Sequence, residues 1–167
     1  MNKLSYLDLS NIVSEVLEET LGIEQSELYS ISGLIDYSAY ESNQTVVEID
    51  IDDDEAITGD YLQARNKFIS VAYNPYKERA YIRIILGARC KNPYLANNQI
   101  DIFSKSSKYA RTFEIEDAEC DRGLCLKSSF ECLTERELRE GLSEVLELFL
   151  DEEFTDSLRP FSHYFND

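Results

Sequence analysis

Tyr81-Ile82-Arg83-Ile84-Ile85-Leu86 is the stretch whose reading decides the fold. Tyr81, Arg83 and Ile85 alternate with Ile82, Ile84 and Leu86, so an extended backbone here is β-prone and largely apolar on both sides. A strand with one wet face alternates apolar with polar, whereas one apolar on both faces belongs inside a sheet. The spacing therefore predicts a central strand.

Reading towards the N-terminus, Asn74-Pro75 followed by Tyr76-Lys77-Glu78 marks a turn. Phe68, Val71 and Tyr73 introduce the strand before it. Residues 60–66 fit both a helical turn and a strand lead-in, and a polar loop runs from Asp52 to near Gly59. Over 45–51, Val47, Ile49 and Ile51 lie opposite Glu48, Asp50 and Asp52, and over 28–39 Tyr29, Ile31, Gly33, Ile35 and Tyr37 share one side. The polar break Glu41-Ser42-Asn43-Gln44 between them predicts a hairpin. Leu9, Ile12, Val13, Val16, Leu17 and Leu21 make one stripe at spacings of three and four, predicting an amphipathic helix over 8–21. Asp8 or Ser10 would cap its start, and Gly22 sits where a C-terminal glycine belongs.

Towards the C-terminus, Asn92-Pro93 is a helix start, followed by the imperfect stripe Leu95, Ile100, Ile102 and Phe103. Thr112–Glu116 and Leu124–Phe130 flank Asp121-Arg122-Gly123 and read as a second hairpin, with Phe113 and Ile115 facing the core. Thr134-Glu135-Arg136-Glu137 is a capping box, in which the Thr hydroxyl accepts from the Glu137 N–H and the carboxylate reaches back. Leu138, Leu142, Val145, Leu146, Phe149 and Leu150 follow at helical spacing. Asp151-Glu152-Glu153 then close that stripe, three acids opposing the macrodipole in its last turn. The order α-β-β-β-β-α-β-β-α gives a single α+β domain over 1–167. It is an antiparallel sheet flanked by N- and C-terminal amphipathic helices.

The composition limits function. Of 167 residues, 43% are apolar, enough for one core, and 33 Asp+Glu against 16 Lys+Arg leave a net charge of -17. Such acidity opposes direct nucleic-acid binding and docking on anionic membranes, both of which need basic groups. The charge is uneven: residues 1–60 carry -14, residues 61–111 carry +8 and residues 112–167 carry -11. The basic centre is either neutralised by packing against the acidic ends or gathered on one face. No apolar run is long enough to span a membrane, and the N-terminus lacks a signal-peptide pattern, so a cytoplasmic location with reduced thiols is expected.

Candidate chemistry is sparse. Asp50, Asp52 and Asp54 copy the opening of a calcium loop, but Glu55 stands where the loop needs Gly and Tyr61 where it needs a bidentate Glu. A solvated strand end and loop is the plainer reading. Cys90, Cys120, Cys125 and Cys132 form no CxxC pair, and His163 is the sole histidine, so no zinc ligand set exists. Cys120 and Cys125 could approach across the hairpin, and unpaired thiols are the plainer reading. His163 lies in an aromatic tail, Phe161-Ser162-His163-Tyr164-Phe165, which a catalytic dyad would need held rigidly. Glu78-Arg79-Ala80 does not supply a nuclease Glu-x-Lys, and there is no phosphate-binding glycine motif. No catalytic residue, metal or cofactor is assigned. Tyr73, Tyr76 and Tyr81 beside Lys77 and Arg79 read either as an interaction edge or as an ordinary sheet surface.

Residues 109–150 carry a resemblance: Phe113-Glu114-Ile115, a hairpin, Leu124-Cys125-Leu126, then Thr134 opening a Leu-rich helix. This resembles the closing unit of YbjN-like domains within the bacterial type III secretion chaperone-like fold. The resemblance implies a dimerising, noncatalytic protein that binds a nonglobular segment of a secreted partner. Two functions are therefore expected in turn. One is an acidic, chaperone-like protein-binding module. The other is an immunity or inhibitor protein that neutralises a basic toxin by electrostatic steering. In both, the partner-facing residues are Asp50, Asp52, Asp53, Asp54 and Glu55 in the loop and Glu140, Glu144 and Glu147 on the last helix. Residues 61–111 serve as scaffold or counter-face.

Overall fold

The computed structural model describes residues 4–22, 28–30, 44–51, 66–87, 90–116 and 123–164. Among these, six strands form one antiparallel sheet: β1 (Leu28–Ser30), β2 (Thr45–Ile51), β3 (Asn66–Asn74), β4 (Arg79–Gly87), β5 (Glu114–Glu116) and β6 (Leu124–Glu131). Their spatial order is β1-β2-β3-β4-β6-β5, so β6 inserts between β4 and β5. The α+β class follows directly. β4 is an inner strand, bonded to β3 from Asn66↔Gly87 to Asn74↔Arg79 and to β6 from Leu86↔Leu124 to Arg79↔Glu131.

Register places the core on one face. Val47 and Ile49, then Ile69, Val71 and Tyr73, then Ala80, Ile82, Ile84 and Leu86, then Leu124 and Leu126 are all buried there. The other face carries Glu48, Ser70, Arg83 and Lys127 in one cross-strand row and Ala72, Tyr81 and Ser129 in the next. Ser70, Ala72 and Ile85 are themselves shielded, which accounts for the apolar character of β4 on both sides.

α1 (Tyr6–Leu21) lays Leu9, Ile12, Val13, Val16 and Leu17 on the core. Its cap is Ser5, whose Oγ accepts the Asp8 N–H at 3.1 Å, rather than Asp8 or Ser10. A hydroxyl three residues before a free amide suffices, and the helix starts one turn earlier than its apolar stripe. Gly22 closes it in the left-handed region at φ 66 and donates to the Glu18 carbonyl. α2 (Pro93–Ser106) starts on the Asn92 cap, with Pro93 in the first turn. Its Phe103 meets Phe161 edge-on.

α3 (Glu135–Glu147) packs beside α1 through Leu138, Leu142, Val145 and Leu146, with Arg139 bonding Glu15 at 2.7 Å. Two expectations about it need correction. The Glu137 carboxylate reaches back to the Leu133 N–H at 3.0 Å, one residue beyond the cap. The helix also does not continue through Leu150. A 3-10 turn, Leu148–Leu150, ends it, and Leu150 is exposed. Asp151 then caps a further helix, α4 (Glu152–Leu158), by accepting the Glu153 N–H at 3.0 Å. Asp151, Glu152 and Glu153 therefore sit at a positive helix N-terminus, where the macrodipole favours them, and not at a C-terminus that opposes them.

α4 exists because aromatic packing requires it. Phe154 stacks on Phe113 with centroids 5.2 Å apart and meets Phe149 and Tyr109 edge-on at 5.2 and 5.0 Å. Phe113 and Ile115 face this core as the hairpin reading requires, although Phe113 precedes β5. The tail is packed: Phe161 is buried and the Tyr164 carbonyl accepts from the Lys91 N–H at 2.8 Å. Most of the turn expected at Asp121-Arg122-Gly123, most of the strand expected over 28–39, the polar loop expected from Asp52 to near Gly59 and most of the 60–66 stretch lie outside the described residues.

Candidate partner-binding groove

β5 pairs with β6 only from Glu114↔Lys127 to Glu116↔Cys125. Just before β5, a 3-10 turn over Lys108–Arg111 carries the chain away from the sheet. Ser107 starts that turn by accepting the Tyr109 N–H at 3.2 Å, and Tyr109 is buried against Phe154. Among the described residues, no strand runs along the side of Ser128, Ser129, Phe130 and Glu131 that faces away from β4. Their outer edge is a lane about 13 Å long at roughly 3.3 Å per residue.

Two hollows meet at this lane, one on each face of the sheet. They share Arg111, Thr112, Ser128 and Ser129. The hollow on the core side, about 500 Å³, lies under α3 and is lined by Glu137, Glu140, Gly141 and Glu144 beside Phe130, with Glu131 of the sheet's other face at its border. The hollow on the other side, about 700 Å³, collects Lys77, Arg79, Arg83, Arg111 and Lys127 around Tyr81, with Glu114 as its acid. Four of the ten basic residues of the sequence's centre, Lys77, Arg79, Arg83 and Arg111, therefore gather at this hollow, joined there by Lys127 of β6.

The acidic wall is a helical stripe. Glu137, Glu140 and Glu144 recur at spacings of three and four and so lie on one side of α3. All three are exposed. Glu140 accepts from Arg136 at 2.9 Å, an exposed pair worth little in water. Glu144 has no ion pair among the described residues. Gly141 gives Phe130 its place between strand and helix, because a Cβ there would lie 2.5 Å from the ring Cδ2.

The basic wall is partly neutralised from within. Glu116 receives Arg83 at 2.8 Å and also bonds Lys127. Burial works to raise the Glu116 carboxyl, but the Lys127 and Arg83 hydrogen bonds outweigh it and hold the group below its ordinary value. Burial, reinforced by the Glu116 charge, pushes the neighbouring Cys125 thiol up to about 12. Burial likewise carries Cys132 up to about 11, with the Glu137 charge adding to it. Both are free thiols kept protonated at neutral pH, as is usual for structural rather than reactive cysteines.

The expected partner-facing residues separate. Glu140 and Glu144 line the groove, while Glu147 is exposed on α3 outside it and accepts from the Ser143 hydroxyl at 3.4 Å. Asp50 lies one residue before the end of β2, opposite Phe68, three strands away from β6. Asp52, Asp53, Asp54 and Glu55 lie outside the described residues. The tyrosine edge is corrected in part: Tyr73 is fully buried on the core face, Tyr76 is exposed, and Tyr81 lines the basic hollow. His163 is exposed beside Tyr164. The described residues hold no group of three or more His, Cys, Asp or Glu placed for a metal, and no described helix is long and apolar enough to cross a membrane.

Sequence reasoning missed Arg79, Arg83, Arg111 and Lys127 as one cluster. The alternation of Arg79, Tyr81 and Arg83 on β4 was a visible signal. The approach of Arg111 and Lys127 depends on the chain reversal through β5. Comparison with known proteins gives no match for this chain among family models, curated proteins or solved structures.

Proposed function

We propose that this chain is a noncatalytic protein-binding module that takes an extended segment of a partner along the edge of β6 that no described strand covers. The observation that carries the reading is the lane beside Ser128–Glu131, walled by Glu137, Glu140 and Glu144. A strand edge offers main-chain donors and acceptors in a row, and strand addition is a recurring way of binding peptides. The acidic wall selects a basic segment and speeds its encounter. The high thiol pKa values support a noncatalytic role for Cys125 and Cys132.

This agrees with the resemblance to secretion-chaperone-like and YbjN-like proteins, which implies a nonglobular partner segment and a dimer. A second reading, an immunity or inhibitor protein for a basic toxin, uses the same exposed glutamates. The two differ in what is bound: a loose segment in the first, a folded basic surface in the second.

The test uses a capped ten-residue peptide with lysine at alternate positions and neutral residues between them as probe. Amide exchange should slow at Ser129 and Glu131, whose N–H groups face away from β4, on saturation, and Glu140→Lys with Glu144→Lys should abolish that protection. Binding that leaves these amides unprotected would overturn the strand-addition reading.

A further inference from the structure

The reading just given leaves open which segments fit. We propose that the lane beside β6 selects a basic–acidic–basic alternation in the partner segment; this rests on the strand-addition reading. The argument is geometric. Side chains of an added strand alternate between the two faces of the sheet, matching the residue opposite each one. Ser128 and Phe130 belong to the core-side face, since they pair with Ile82 and Ala80. Ser129 belongs to the other face, since it pairs with Tyr81.

A partner side chain opposite Ser128 or Phe130 thus enters the hollow holding Glu137, Glu140 and Glu144. One opposite Ser129 enters the hollow holding Arg79, Arg83, Arg111 and Lys127. Arg111 borders both hollows and has no carboxylate partner among the described residues. It is the cation best placed to receive the central acid. Glu131 lies on that same face at the end of the lane, so the acidic preference is confined to the position opposite Ser129. A wholly basic segment satisfies one wall and is repelled by the other. The occupant is therefore an extended protein segment reading Lys/Arg, Asp/Glu, Lys/Arg.

The test compares two capped peptides of identical composition, Thr-Val-Lys-Glu-Lys-Val-Thr and Thr-Val-Lys-Lys-Glu-Val-Thr, by fluorescence anisotropy on the full chain. The alternating peptide should bind roughly fivefold tighter, as expected when cross-strand charges match rather than clash. Arg111→Glu should erase that preference, while Glu140→Gln with Glu144→Gln should weaken both peptides. Equal binding of the two peptides, with the Ser129 and Glu131 amides protected, would overturn the alternation and leave strand addition standing. Binding of neither would overturn strand addition itself.

Discussion

Gly141 sits in the middle of α3, where glycine costs about 1 kcal/mol relative to alanine. Gly141→Ala should nevertheless destabilise the protein. The added Cβ would lie 2.5 Å from Phe130 Cδ2 and 2.6 Å from Cζ, closer than real carbons approach. Phe130 is half-buried against the core cluster, so the ring has two ways to yield. It can move off its rotamer with a shift of α3, at about 1–3 kcal/mol for an overpacked site. It can also swing outward and lose burial, at about 1.5 kcal/mol for part of a Phe side chain. Against the propensity gain, the net loss is about 1 kcal/mol. Urea denaturation should show a lower midpoint with unchanged slope. In a Phe130→Leu background, where the ring is gone, Gly141→Ala should instead stabilise, by about 0.5–1 kcal/mol. Stabilisation by Gly141→Ala in the parent chain would refute the reasoning. So would equal effects in the two backgrounds, because coupling between touching residues is what the double cycle measures.

Asp151→Ala should cost about 1–2 kcal/mol in urea denaturation, since it removes the α4 cap and the partner of the Tyr109 hydroxyl. Phe154→Ala should cost about 3–5 kcal/mol, the range for truncating a buried aromatic, with loss of near-ultraviolet tyrosine dichroism from Tyr109. Glu116→Gln should cost about 2–3 kcal/mol at neutral pH by leaving Arg83 and Lys127 short of a carboxylate. Because the folded-state pKa of Glu116 is depressed below 4.5, its contribution is complete above that pH and is lost as pH falls through the lower folded value. The stability of the Gln variant should therefore decline less steeply below pH 4.5 in acid titration monitored by circular dichroism. Iodoacetamide at neutral pH should leave Cys125 and Cys132 unmodified in the native chain and alkylate both in urea, as read by mass spectrometry of their peptides.

Much of the architecture was legible because local signals agreed. The period-two runs at 45–51 and 81–86, the Asn92-Pro93 start and the Thr134 cap all appear where local chemistry puts them. The misreading of Asp151-Glu152-Glu153 has a clear cause. Leu148, Phe149 and Leu150 continue an apolar run, and one sequence cannot reveal that Phe149 turns inward while Leu150 faces water. The burial of Phe154 on Phe113, a contact between distant segments, settles that the chain breaks and restarts. The acidic half of the site was visible as Glu140 and Glu144. Its basic half was visible only as a segment charge, because Arg111 reaches the sheet through a turn whose shape depends on burying Tyr109.

That turn has a consequence for the lane itself. If Lys108–Arg111 were extended instead of coiled, β5 would reach backwards along β6 and lie across Ser128–Glu131. The chain thus carries the material to seal its own sheet and spends it on anchoring one tyrosine beneath α4. Among the described residues, this stretch of the sheet margin is left uncovered from inside the core, by the ring of Tyr109 against Phe154. A change that evicted that ring would free the segment to fill the slot, turning an open margin into a self-occupied one.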